Sequence, residues 1–508
     1  MLNAFRKNAH NADHLLLAEE NIIDKRSLKS CEKAAKYFAD LGNLKKAVII
    51  LEKAADYCRD SANTAGEIDY CGLISEIAES PAVKYKFFMR LGELCSHAGN
   101  YSFSETAFTS AYKIAKKNRN ETHKITALLK LANMYYKMGN YAGSSETFRK
   151  AKRYTNKLGN HGILSMISSG IGINYRIRKK YYMASKYFQK ELVDAKKSDN
   201  PELLYKAYEN LGISYNHQGK GDKAFAFFQK ALQIAKEICN KNSISNCYIN
   251  IGKAYFTEND YGSALNSFEM AYRLSTKARN STNKSLALSN IASVHFAEGR
   301  YVLAKKDYNK LQIQYIKQKD VAGLAFVHGA MGNLCIKTRN YKAAITHYLT
   351  SIRFYKEIQK LNSISLLLGN IGLAYRYLKK YSRAEYYLEQ QLKIERKNQN
   401  YEGVVRSLIN LGTVYSRTQR HRKALRNYSK VISICQKISL KQYLAAAYLN
   451  AAEILLMHKK IKKAKEYGVK SFELAKINND ISNMEECKKI FSKLNIKYNA
   501  TTQRIVNL

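Results

Sequence analysis

Residues 201–240 read PELLYKAYENLGISYNHQGKGDKAFAFFQKALQIAKEICN. Leu204, Tyr208, Leu211 and Tyr215 recur at the three-to-four-residue spacing of one helix face. The run Gln218-Gly219-Lys220-Gly221 then breaks the pattern, as a glycine-rich helix end does. A second face follows in Ala224, Phe228, Ala231, Leu232 and Ala235. The stretch therefore predicts a helix A, a short turn, a helix B and a linker.

The same 40-residue frame runs ten times from Pro81 to Asp480 without insertion or deletion. Numbering each frame from its first residue (81, 121 and so on to 441) aligns the columns. Column 12 is Gly or Ala throughout: Gly92, Ala132, Gly172, Gly212, Gly252, Ala292, Gly332, Gly372, Gly412 and Ala452. Column 24 is Ala from Ala184 to Ala464, and Ser in Ser104 and Ser144. A fixed period of this length predicts stacked helix pairs rather than a globular enzyme core. Small residues at columns 12 and 24 let the two helices approach, and the aromatic columns 15 and 28 fill the space beside them. Such an aromatic stripe at helical spacing is core rather than a cofactor box. Only two prolines, Pro81 and Pro201, interrupt the chain, which favours helix nearly throughout.

Leu211, Gly212, Tyr215, Ala224, Phe228 and Ala231 reproduce the Leu-Gly-x-x-Tyr…Ala…Phe…Ala pattern of the tetratricopeptide repeat, and the chain resembles that family over about four fifths of its length. It departs in three ways. The period is 40 rather than about 34, Phe88, Tyr208, Tyr248 or Tyr448 stand in the family's Trp column, and the closing Pro is missing. Long units of this kind resemble those of kinesin light chains and of the Pins/LGN polarity adaptors. The resemblance implies an all-α fold, a right-handed α-solenoid (superhelix) of stacked antiparallel helix pairs. Residues 1–80 read as an N-terminal helical region with one degenerate repeat at about 24–63, offset from the array by 17 residues. Residues 81–480 are the ten repeats. Residues 481–508 read as a capping helix with a frayed tail.

The chain carries 85 Lys+Arg against 41 Asp+Glu, a net charge of +44. Residues 1–80 hold 11 basic and 13 acidic side chains, so the repeats are the polycation. A field of that sign favours acidic partners. The nine cysteines form no CxxC pair and no zinc-spaced His/Cys cluster, so neither a metal nor a cofactor is expected. Unpaired thiols point to the cytoplasm, and Cys95 and Cys335 in column 15 read as core residues. No apolar run reaches bilayer-spanning length, and the first twenty residues lack the apolar core of a secretory signal, so no membrane association is expected. HExxH, GxxxxGK[ST] and GxSxG are all missing, so an enzyme acting on a small-molecule substrate is not expected.

Function is then a question of surfaces. Column 10 holds Asn210, Asn250, Asn290, Asn370, Asn410 and Asn450. The resemblance places this column on the concave surface, where an amide offers a donor and an acceptor to a bound peptide backbone. The alternative is that these amides bond neighbouring helices, and the two readings are compatible. By the same resemblance the groove is also lined by Lys137, Arg176, Lys206, Lys253, Lys337, Arg376, Arg406 and Arg417, together with Lys86. The expectation is a non-enzymatic scaffold whose basic groove takes acidic protein segments. Its sharper form places the protein on tubulin, the cytoskeleton or a ciliary axoneme. The alternative is an RNA-binding helical-repeat protein, with Tyr136, Phe256, Phe296 and Tyr377 as stacking surfaces.

Overall fold

Helices of the array stop at the same two places in the frame. Helix A of frame 201 is Pro201–Asn216 and helix B is Gly221–Glu237, and 17 residues is the commonest length for both kinds of helix, about 25 Å. The computed structural model describes residues 28–438, 440–478, 480–493, 497–499 and 504–506. The N-terminal segment 1–27 and tail residues 500–503 and 507–508, which the sequence reading also covered, lie outside the described residues. The chain divides into two compact units, Met1–Asn280 and Ser281–Leu508, each considered by itself.

The connections explain why the period is 40. Columns 19 and 39 turn left-handed, at Gly99, Gly139 and Gly219 but also at Lys179, Arg279, Lys379, Gln419 and Lys459. A left-handed residue satisfies the last carbonyls of a helix and reverses the chain. The next residue is the N-cap. Asn120, Asn160, Asn200, Asn240 and Asn400 accept backbone N–H bonds at the starts of A helices. At the starts of B helices, Asn100, Asn140, Asp260 and Asn340 do the same. Lys180, Lys220, Arg300, Lys380 and Lys460 stand at equivalent B positions and supply no cap. Two 20-residue half-units thus make each frame.

Packing within a frame follows the small columns. All ten residues of column 24 have zero exposure. A Cβ on Gly212 would fall within 3.0 Å of the Phe228 ring, and Gly92, Gly252 and Gly412 face Phe108, Phe268 and Tyr428 in the same way. Column 28 therefore lies on column 12, and burying each such ring contributes about 1.5–3 kcal/mol. In frame 441 both columns are small, Ala452 in column 12 and Gly468 in column 28. Column 15 does something the sequence reading missed. Its tyrosines stack on column 27, as in Tyr175–Tyr187 (5.4 Å), Tyr215–Phe227 (5.5 Å) and Tyr375–Tyr387 (5.5 Å). Of the two cysteines in that column, Cys95 is buried and Cys335 half-buried.

Helices pack on their sequence neighbours, and A helices also meet the A helices of adjacent frames, as His161–Ile177 meets Pro201–Asn216 and Tyr401–Arg417 meets Lys441–Met457. Among the described residues no B helices approach one another comparably. Within each unit the A helices therefore form the inner, crowded side and the B helices the outer side.

At the N-terminal end, Leu28–Asp40, Leu44–Asp60 and Thr64–Ile77 precede the first full frame. Arg90, in column 10, bonds Asp56 (3.2 Å) and Glu67 (2.6 Å). This puts Leu44–Asp60 in a helix-A place, whereas the sequence pattern at 24–63 reads it as a helix B. Residues 64–80 hold the helix Thr64–Ile77. At the other end, Ile481–Lys493 packs its Cys487, Ile490 and Phe491 against Phe472 and Leu449. Beyond it, Lys497–Asn499 pairs antiparallel with Arg504–Val506 within the segment read as frayed.

Candidate functional site

The inner side of the first unit carries a cluster of charges withdrawn from water. Its centre is Glu191, only 2% exposed, in column 31 of helix Tyr181–Lys197. In frames 81, 121, 201 and 241 that column is Ala: Ala111, Ala151, Ala231 and Ala271. Burial pushes the Glu191 carboxyl up to about 8, against the opposing pull of bonds from Ser169 and Asn210 and of the nearby Arg176 and Lys206. Asn210 donates its amide to both Glu191 oxygens (3.2 Å) and to Ser169 (3.2 Å). Its own oxygen accepts from Arg176 (3.4 Å). One frame on, Asn250 donates to Glu209 (2.9 Å), which also accepts from Tyr205 (3.0 Å). Burial raises the Glu209 carboxyl too.

Cations in the same place are displaced the opposite way. Burial lowers the pKa of Arg176, of Lys253 and of His217, and the charges of Arg176 and Lys253 also press on His217. Lys253 is exposed along the helix, although the bulk of neighbouring protein lowers its pKa. Neither Arg176 nor Lys253 has a carboxylate within ion-pair distance among the described residues, and Glu209 acts on both only at longer range. Two cations with no ion-pair partner, one half-buried and one exposed, are chemically disposed to accept an anionic group.

The remaining sequence candidates separate into three kinds. Asn370 donates to Asn333 (3.3 Å) on the exposed surface, so half of the column-10 amides (Asn210, Asn250 and Asn370) bond a neighbouring helix. The Asn290 amide nitrogen and Arg406 Nε are buried without a partner, while Asn410 and Asn450 are half-buried on their helices. Lys137, Lys206, Lys337 and Arg417 are exposed, and Arg376 lies over the Tyr377 ring (5.2 Å). Lys137, Arg176, Lys337, Arg376 and Arg417 stand in the last turn of helix A, beside the A–B turn rather than along the middle of the inner face. Lys86 is held by Glu52 (3.2 Å).

The larger share of charge lies elsewhere. Columns 1–17, the A helices, carry 16 Lys/Arg and 6 Asp/Glu, whereas columns 21–37, the B helices, carry 38 and 14. The A–B turns carry 11 against 3, and the return turns 4 against 3. The A helices are net basic, and the B helices carry the larger part of the positive charge. The physical reason is that helix A is enclosed by neighbours on several sides, while the outer face of helix B leaves long cationic side chains in water at little cost. Among the described residues no group of three His, Cys, Asp or Glu is placed to hold a metal ion, and no helix is long and apolar enough to cross a membrane.

Stacked antiparallel helix pairs with small columns at fixed places define an all-α helical-repeat protein. Family models described as tetratricopeptide repeat match residues 203–277, 363–437 and 404–477, and a second such model matches 126–156. The chain carries tetratricopeptide repeats over these residues, repeats of a class that generally mediates protein–protein interactions. Among curated proteins no sequence matches it. Solved structures with similar helix arrangements include the quorum sensor NprR from B. thuringiensis, 20% identical, covering 69% of this chain and 98% of that one at a TM-score of 0.47. Yeast Tom70 is 15% identical and covers 90% and 98% at 0.42. A Podospora anserina putative kinesin light chain is 14% identical and covers 40% and 99% at 0.34.

Proposed function

We propose that the protein is a non-enzymatic scaffold that captures an acidic segment of a protein partner on the inner, helix-A side of its first unit. The observation that carries this reading is that half-buried Arg176 and exposed Lys253, beside the Asn210 and Asn250 amides, have no ion-pair partner among the described residues while both have lowered pKa values. A partner carboxylate would supply the missing counter-charge without displacing an existing ion pair. In its sharper form the partner is the acidic surface of tubulin or another axonemal protein, which the net charge of +44 favours.

The test uses a labelled 20-residue glutamate-rich peptide and the full chain. Replacing Arg176→Gln and Lys253→Gln together is expected to weaken capture about tenfold with an unchanged melting temperature. Unchanged capture overturns the inner-face site. For the sharper form, binding to taxol-stabilised microtubules should fall when their acidic tails are removed, and tail-independent binding rejects it.

A further inference from the structure

Three stretches of the second unit, spaced 40 residues apart, read LKKYSR (378–383), TQRHRK (418–423) and HKKIKK (458–463). Each spans an A–B turn and the start of a B helix. Together they hold ten Lys/Arg and no Asp or Glu. Two contacts show that neighbouring frames meet along this edge. His421 and His458 touch at 2.7 Å across adjacent frames. Arg420 reaches back to Glu385 of the preceding frame through two bonds. Among the described residues Arg420 is the only one of the ten in an ion pair. The other nine are exposed.

Charge alone would suit any polyanion. The rings on the same edge narrow the choice. Tyr377, immediately before the first stretch, is 51% exposed and already stacks on Tyr341 of the preceding frame (4.9 Å, 12° between planes). His421 and His458 form a second ring pair two turns along. A row of cations that tracks a backbone, interleaved with aromatic faces at frame spacing, is the arrangement that holds single-stranded nucleic acid through phosphates and base stacking. An acidic peptide would use the cations and leave the rings idle. The edge also keeps its cations against local preference, because Lys380 and Lys460 occupy N-cap places where Asn or Asp would stabilise the helix.

We infer that the A–B edge of frames 361–480 binds single-stranded RNA, with the three basic stretches on the phosphates and Tyr377 under a base. This surface is separate from the inner face of the first unit and does not depend on it.

The experiment measures binding of fluorescein-labelled U20 RNA to the full chain across a salt series, with 20-residue polyglutamate as competitor. The fourfold variant Lys380→Glu, Arg422→Glu, Lys460→Glu, Lys463→Glu should weaken U20 at least tenfold and flatten the log–log salt slope by about 3. Tyr377→Ala should weaken U20 severalfold while leaving polyglutamate affinity unchanged, and Arg176→Gln with Lys253→Gln should leave U20 binding intact. Circular dichroism melts keep folding defects apart from binding defects. Unchanged U20 affinity in the fourfold variant overturns the site. Equal losses of U20 and polyglutamate in Tyr377→Ala, or no loss of either, overturn the nucleic-acid assignment in favour of an acidic protein chain.

Discussion

The inner face of the first unit and the A–B edge of the second hold their charges under opposite conditions. Around Glu191 a few ionisable groups are crowded together and dehydrated, and hydrogen bonds from Asn210, Asn250 and Tyr205 settle them. Along the stretches 378–383, 418–423 and 458–463 many cations stand in water, and among the described residues only Arg420 is paired with a carboxylate, Glu385. The first arrangement is costly per charge and fixes geometry. The second is cheap per charge and acts through density. A repeat protein can therefore carry two kinds of recognition on one scaffold, with burial deciding which kind a column supports.

The largest effect expected from disturbing this contrast is at Glu191. Its carboxyl titrates near 8 when folded and near the ordinary value of about 4.5 when unfolded. Between those values the folded chain binds the extra proton, so stability falls as pH rises from about 4.5 through 8. Glu191→Gln, which copies the Gln391 found at the same column of frame 361, should stabilise the first unit by on the order of 2 kcal/mol at pH 7. It should also flatten the pH dependence of the melting temperature. A variant no more stable than the parent would mean that the network, not the charge state, sets the balance.

A smaller effect is expected at the edge. Lys380→Asn and Lys460→Asn restore N-caps and should each stabilise by about 1 kcal/mol, read as a shift in denaturant midpoint. The same pair should weaken U20 capture. Stabilisation without loss of capture would separate the caps from the binding surface.

The smallest effect concerns pH in the second unit. His328 and His347 touch through Nδ1 at 3.2 Å, beside Gln312, Phe354, Lys305 and Arg353. Burial and these positive neighbours lower both histidines below the ordinary value near 6.5. The unfolded chain therefore takes up protons first as pH falls, and the pair's contribution, complete above about 6.5, is lost on acidification. His347→Gln should remove part of the drop in melting temperature between pH 7 and 5, by less than about 1 kcal/mol. Opposite pH trends in the two variants would sharpen the contrast between the units.

Much of the fold was legible because the period is strict. Column 24 reads as small and is wholly buried, and the break after Tyr215 is the observed turn. The site was less legible. Sequence spacing put Asn in column 10 but could not say that Asn210, Asn250 and Asn370 spend their amides on a neighbouring helix. It singled out Arg176 and Lys253, yet missed Glu191, whose oddity was nonetheless readable as the one charge in a column of Ala, Ser, Leu, Val and Gln. It assigned the excess charge to the repeats as a whole, without dividing it between the A and B helices.

By itself the sequence determined the repeat, the two-helix frame, the small columns and the excess of positive charge. These follow from local spacing and composition, which act between residues close along the chain. Only the tertiary structure decided which columns lose water. Glu191, Asn210, Arg176, Glu209 and Lys253 come from four helices, and their behaviour depends on what those helices bring close to one another. The same holds for the edge, where stretches 40 residues apart become one surface because successive frames stack.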